Sequence, residues 1–159
     1  MTMAKAYIGL GANLGSAQTT LTDALEALRT NAGIHDVLAS RFYHSDPVDA
    51  PGPAYVNAVA RISTTLAPLP LLQVLRSIEA RFGRERHFRN APRTLDLDLL
   101  LYDLLELRTP TLTVPHPRLH QRAFVVKPLI ELGEQATVVS GKSLHEWLID
   151  CADQPCAPV

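Results

Sequence analysis

The chain has 159 residues, 47% of them apolar and 19% charged, with a formal net charge of -1. That length fits one domain spanning 1–159 with a normal core, and the balance excludes a disordered chain. The near-zero charge excludes a global attraction to nucleic acid or anionic membrane, and no apolar run reaches membrane-spanning length. The opening Met-Thr-Met-Ala-Lys leads into a strand without the apolar stretch of a signal peptide, so the expected location is cytoplasmic. Cys151 and Cys156 form neither a CxxC nor a metal-spaced set and read as free thiols.

In chain order, Ala6 to Leu10 reads as a strand and Gly11-Ala-Asn-Leu-Gly15 as a turn. Ser16 is placed to cap a helix whose Leu21, Ala24, Leu25 and Leu28 recur at helical spacing, with Gly33 closing it. Val37 to Tyr43 and Tyr55 to Thr64 read as strands around a proline-stiffened loop from Ser45 to Pro53. A second helix is expected from Leu69 to Phe82, with Leu71, Leu75, Ile78 and Phe82 inward and Gly83 ending it. Arg84 to Ala91 lacks apolar periodicity and is expected to be a mobile loop. Strands are expected at Thr94 to Tyr102 and Leu112 to Val114, then helices at Ala123 to Leu132 and Leu144 to Ile149. The tail beyond Asp150 is expected to fray. Strand, helix, strand, strand, helix, strand is the ferredoxin-like βαββαβ order, an α+β fold with an antiparallel sheet and its helices on one face.

The chemistry concentrates in Arg93-Thr-Leu-Asp96-Leu-Asp98-Leu-Leu-Leu-Tyr102. In a strand, Leu95, Leu97 and Leu99 turn to the core while Asp96 and Asp98 stand on the other face, about 6–7 Å apart. Two such carboxylates repel unless a cation lies between them, and oxygen-only ligands suit Mg²⁺ with substrate phosphates. Six of the twelve arginines lie between Arg76 and Arg93, a cue for a polyanion. Alone, either feature has a bland explanation, a charged strand edge or a solvated basic face. Together they converge on one polyphosphate. The glycine-rich turn is a poor match to nucleotide loops and reads as a tight turn that allows close backbone approach. His116, between two prolines, is as well read as a structural residue as a functional one. Phe124 alone reads as core. Tyr55 and Asn57 alternate on one side of their strand, an aromatic face and an amide suited to a planar heterocycle, although Tyr55 alone is also read as core.

These segments together resemble the 6-hydroxymethyl-7,8-dihydropterin pyrophosphokinase family. The resemblance rests on Arg89-Asn-Ala-Pro-Arg93-Thr-Leu-Asp96-Leu-Asp98-Leu-Leu100, on Tyr7 to Ser16, on Tyr55-Val-Asn57-Ala, on Gly83-Arg84-Glu-Arg86 and on Val114 to Phe124. It departs at Asn90, where some members carry tryptophan, and near Thr111, where some carry arginine. The resemblance implies pyrophosphate transfer from ATP to 6-hydroxymethyl-7,8-dihydropterin in folate synthesis, with release of AMP. It implies two Mg²⁺ ions on Asp96 and Asp98, and Arg84 and Arg93 as catalytic residues reaching the phosphates. Glu79, Arg86, Arg93, Leu99, Thr113, His116 and Arg122 would line the ATP site. Gly11, Ser45, Pro47, Val48, Tyr55, Asn57 and Phe124 would hold the pterin. Partners beyond these substrates are not expected: no nucleic acid, no membrane, a monomer. The rival readings are a ferredoxin-like RNA-binding module and a small-molecule binding domain without catalysis. The first lacks an aromatic RNP-type run, and neither has a use for the carboxylate pair.

Overall fold

Alternating side chains make the first strand, β1 (Ala4–Ala12): Ala6, Ile8, Leu10 and Ala12 pack to one side of the sheet and Tyr7 to the other. The computed structural model describes residues 2–13, 16–45, 55–82, 95–134 and 138–159. Helix α1 (Ala17–Arg29) buries Leu21, Ala24, Leu25 and Leu28, as its spacing predicts, together with Ala27. Ser16 occupies the N-cap position, but its side chain makes no capping bond. Its ψ of 77° lies short of the extended geometry from which a serine cap reaches back. Gly33 stands beyond the helix end; a Cβ there would come within 2.5 Å of Leu66 Cγ, so close approach, not helix termination, requires the glycine.

The strand expected over 37–43 is two strands, β2 (Ile34–Ala39) and β3 (Tyr43–Ser45), each antiparallel to β4 (Tyr55–Thr64). The break is at Ser40. Its amide donates to Val59 O at 2.8 Å and its hydroxyl accepts from Val59 N at 3.0 Å, so a side chain replaces one rung of the ladder. Helix α2 (Pro68–Arg81) opens on Pro68, whose missing N–H costs nothing in the first turn, and buries Leu71, Leu72, Leu75 and Ile78. Each such leucine contributes about 1.5–3 kcal/mol. Strand β5 (Asp96–Tyr102) pairs with β1 at the sheet's edge.

Strands β6 (Leu107–Arg108) and β7 (Thr113–Val114) form a small hairpin. A 3-10 turn at Leu119–Gln121 leads into α3 (Ala123–Glu131), which runs through Pro128. Strands β8 (Val138–Val139) and β9 (Lys142–Ser143) precede α4 (Leu144–Asp150), whose N-terminus carries a capping box between Ser143 and Glu146. The tail does not fray. Cys151 is buried, and β10 (Cys156–Pro158) pairs with β3, covering what would be an open sheet edge.

The sheet order β10-β3-β4-β1-β5, with β2 also on β4 and every pair antiparallel, is the ferredoxin-like arrangement with an added edge strand. The helices of the βαββαβ unit, α1 and α2, share one face and one core with Ile8, Leu10, Ala58, Ala60, Leu97 and Leu99. Helices α3 and α4 cover the opposite face, around Tyr7, Val59, Leu100, Leu101, Val126 and Leu129, so the helices are not confined to one side as expected. A bulge explains the two neighbouring leucines there. Tyr7 pairs with Leu101 and Ile8 with Leu99, which leaves Leu100 as an extra residue facing the second core. Among the described residues no helix is long and apolar enough to cross a membrane.

Candidate active site

Where the second face is not covered by α3 and α4, it opens into a cavity of about 640 Å³. Its floor is set by two glycines in the central strand. Gly9 pairs with Asp98 and Gly11 with Asp96 across β1–β5, while Gly11 also pairs with Asn57 across β1–β4. With no side chains between them, β5 carboxylates and β4 polar and aromatic groups look onto one trough. A Cβ on Gly11 would lie 3.0 Å from Asn57 Nδ2, so the trough depends on its absence.

The pterin-side residues expected from the sequence and described in the structure converge. Gly11, Ser45, Tyr55, Asn57 and Phe124 all line the cavity. Asn57 is buried, and its Oδ1 accepts a hydrogen bond from the Ser45 hydroxyl, which turns the amide NH₂ toward Gly11. Phe124 sits in the first turn of α3, with the Arg122 guanidinium 5.6 Å from its ring centre. Asp96, Asp98 and Arg122 line the same cavity.

The charged groups act on one another. Burial lowers the pKa of Arg122, Asp98 and Asp96 pull it up, and Arg118 lowers it further; the net direction is down. Burial likewise lowers the His116 imidazole, against the raising effect of Asp98 and with Arg122 and Arg118 adding to the fall. His116 Nδ1 accepts the Arg118 amide at 3.2 Å, and its own amide donates to Leu100 O at 2.9 Å. A neutral ring held this way carries its proton on Nε2.

Other expected residues stand elsewhere. The Leu99 side chain is packed in the helix-side core, because its strand position is opposite in phase to Asp98; it does not line the cavity. Glu79, expected in the ATP site, is 1% exposed on the helix side and absent from the cavity wall. One of its oxygens accepts Leu97 N–H at 2.8 Å and the other accepts Arg76 Nη1 at 2.9 Å, while the same Arg76 nitrogen donates to Leu97 O at 2.9 Å. Edge strands leave such N–H and C=O groups without a ladder partner. Arg76 and Glu79 satisfy them at the residue between the two aspartates. Thr113 lies in β7 and His116 just beyond it, both outside the cavity lining. Pro47, Val48, Arg84, Arg86 and Arg93 fall outside the described residues, as does Asn90.

Sequence reasoning missed Gly9, Arg118, Gln121 and Gln154, all of which line the cavity. The Gly9-x-Gly11 spacing was the available signal for Gly9, since residues two apart share a strand face. Gln154 had none, because the tail carries no periodic pattern.

A carboxylate pair and basic residues on a cavity that also holds a ring-sized aromatic and amide wall define the chain as a small α+β transferase of phosphate-type groups. A family model described as 7,8-dihydro-6-hydroxymethylpterin-pyrophosphokinase matches residues 7–134. The chain is 41% identical over 152 residues to the 2-amino-4-hydroxy-6-hydroxymethyldihydropteridine pyrophosphokinase of Haemophilus influenzae, covering 95% of each. It is 41% identical over 148 residues to the protein of that name from Pseudomonas aeruginosa, covering 92% and 91%. A Plasmodium falciparum HPPK-DHPS crystal structure with pteroate shares the fold at a TM-score of 0.74 and 12% identity, over 94% of this chain and 42% of that one. The chain therefore spans less than half of that longer protein. The chain belongs to the 7,8-dihydro-6-hydroxymethylpterin pyrophosphokinase family, and its activity is pyrophosphate transfer to hydroxymethyldihydropterin in folate biosynthesis.

Proposed function

We propose that this cavity takes both substrates at once, with 6-hydroxymethyl-7,8-dihydropterin at the Tyr55, Asn57 and Phe124 end and the ATP polyphosphate at the Asp96, Asp98 and Arg122 end. The observation that carries it is the continuity of one cavity between the carboxylate pair and the aromatic wall. Tyr55 and Phe124 stack on the ring, and Asn57 donates from its fixed NH₂. Gly11, Ser45, Pro47 and Val48 complete that end. The hydroxymethyl oxygen then attacks the β-phosphorus of ATP and gives its proton to solvent, the bond from the β-phosphorus to the α-phosphate oxygen breaks, and AMP leaves.

The donors fit magnesium: Asp96 and Asp98 offer two oxygen ligands on one cavity wall and leave the rest of the shell to phosphate and water. Two Mg²⁺ ions, when bound, neutralise the phosphate charge. Asp96 and Asp98 hold them. Arg122 and the catalytic arginines Arg84 and Arg93 bind the polyphosphate oxygens, with Arg86 beside them. His116, kept neutral by burial, donates from Nε2, and Thr113 and the Leu99 backbone flank the nucleotide. Glu79 acts on this site through Leu97, as a positioning residue. The enzyme works as a cytoplasmic monomer and binds neither nucleic acid nor membrane.

The test is AMP release from ATP with Mg²⁺, with and without the hydroxymethyldihydropterin. Turnover should require both the pterin and the metal. Asp96→Ala and Asp98→Ala should each lower it at least about 100-fold with the fold retained by circular dichroism. Near-normal Mg-dependent turnover in either variant would remove that aspartate from the metal site.

A further inference from the structure

The tail does more than cover an edge. Gln154 Oε1 accepts the Ala123 N–H at 2.9 Å, and Gln154 Nε2 donates to Gln121 O at 2.8 Å. Those bonds grip the first residue of α3 and the end of the turn before it, either side of Arg122 and one residue ahead of Phe124. Four N–H groups at a helix start have no partner within the helix, and none of the residues at the start of α3 supplies a side-chain cap. Gln154 takes that part from 31 residues away. Beyond it, β10 pairs with β3 through Cys156 and Ser45, the serine that orients Asn57. Lys127 Nζ of α3 donates to Cys156 O at 3.0 Å, and Val159 N donates to Phe42 O at 2.9 Å. A few residues of tail thus tie the wall that carries Phe124 to the strand that carries Ser45. This segment lies past residue 134, where the family match ends.

We infer that residues 151–159 are a strap that sets the spacing of the two walls of the pterin site, with Gln154 as the positioning residue for Phe124. The inference rests on the placement of the pterin proposed above. Gln154 is exposed, so its substitution leaves the core intact, whereas deleting the strap would also remove buried Cys151.

The experiment uses the full chain carrying Gln154→Leu, Phe124→Ala or both. Calorimetry gives the Kd of 6-hydroxymethyl-7,8-dihydropterin and, separately, of a non-hydrolysable ATP analogue with Mg²⁺. Hydrogen exchange reports on the Ala123 amide. Loss of two hydrogen bonds at a wall should weaken pterin binding about three- to tenfold in Gln154→Leu, leave the ATP analogue within about twofold, and speed exchange at Ala123. In the Phe124→Ala background the added loss should shrink, since the wall then has no ring to place. Unchanged pterin affinity in Gln154→Leu beside a weakened Phe124→Ala overturns the strap alone. Equal loss of both ligands in Gln154→Leu overturns it too, as a general structural defect. Unchanged pterin affinity in Phe124→Ala overturns the ring placement and, with it, this inference.

Discussion

Glu79 is the sharpest test of how the edge strand holds its aspartates. Truncation to alanine removes the acceptor of the Leu97 N–H, whose residue is fully buried, and one partner of Arg76. A buried N–H left unpaired costs about 1–3 kcal/mol, and the vacated carboxyl volume adds to it. Arg76 contributes little to the loss, because its side chain is 43% exposed and its charge stays hydrated. The expected total is about 2–3 kcal/mol. At about 2–4 °C per kcal/mol for a chain of this size, the Tm should fall by about 4–12 °C. Glu79→Gln keeps an acceptor for Leu97 and should cost about 1 kcal/mol. Because Leu97 lies between Asp96 and Asp98, the Mg²⁺ concentration for half-maximal turnover should rise several-fold in Glu79→Ala and less in Glu79→Gln. Urea unfolding and a Mg²⁺ titration of AMP release measure the two effects. If Glu79→Ala unfolds within about 0.5 kcal/mol of the parent, the edge-satisfaction argument is wrong.

Gly11→Ala places a methyl 3.0 Å from Asn57 Nδ2 and should push the amide out of line, weakening pterin binding about tenfold in calorimetry with ATP-analogue binding unchanged; equal loss of both would count against the trough. Burial pushes the Glu131 carboxyl up, but hydrogen bonds from Tyr43 and from Arg41 more than reverse this, so its pKa ends below the ordinary 4.5. A lowered folded-state pKa gives stability that is present above the unfolded value and is lost as pH falls through the folded one. Glu131→Gln should therefore destabilise at pH 7 and converge on the parent as urea unfolding is repeated below pH 4.5; a gap independent of pH would refute the linkage.

Much of this was legible in the sequence where periodicity and chemistry coincide. The Leu-Asp-Leu-Asp alternation put both carboxylates on one face, and the apolar stripes found α1 and α2 to within about a turn. What escaped depended on contacts between distant segments. Ser40 breaks a strand by substituting its own hydroxyl for a backbone rung, a choice made by Val59 and not by local propensity. Glu79, expected in the ATP site from the resemblance, instead satisfies the edge of β5 at Leu97, a long-range contact that no local pattern shows. The tail has too few apolar residues to show a period, yet three strand residues and one glutamine anchor it. The bulge at Leu100 is invisible in a run of leucines, since either phase looks equally apolar.

That run has a consequence for how the protein and its ligand share free energy. Leu100 and Val125 belong at once to the second core and to the cavity wall, and Phe124 packs against the same core. With the pterin placed as proposed, a planar ring entering the cavity would pack against this core as an additional side chain would. The substrate would then act as a removable piece of the interior. At a concentration about a hundred times its Kd, such a ligand would raise the stability of the whole fold by about 2.7 kcal/mol.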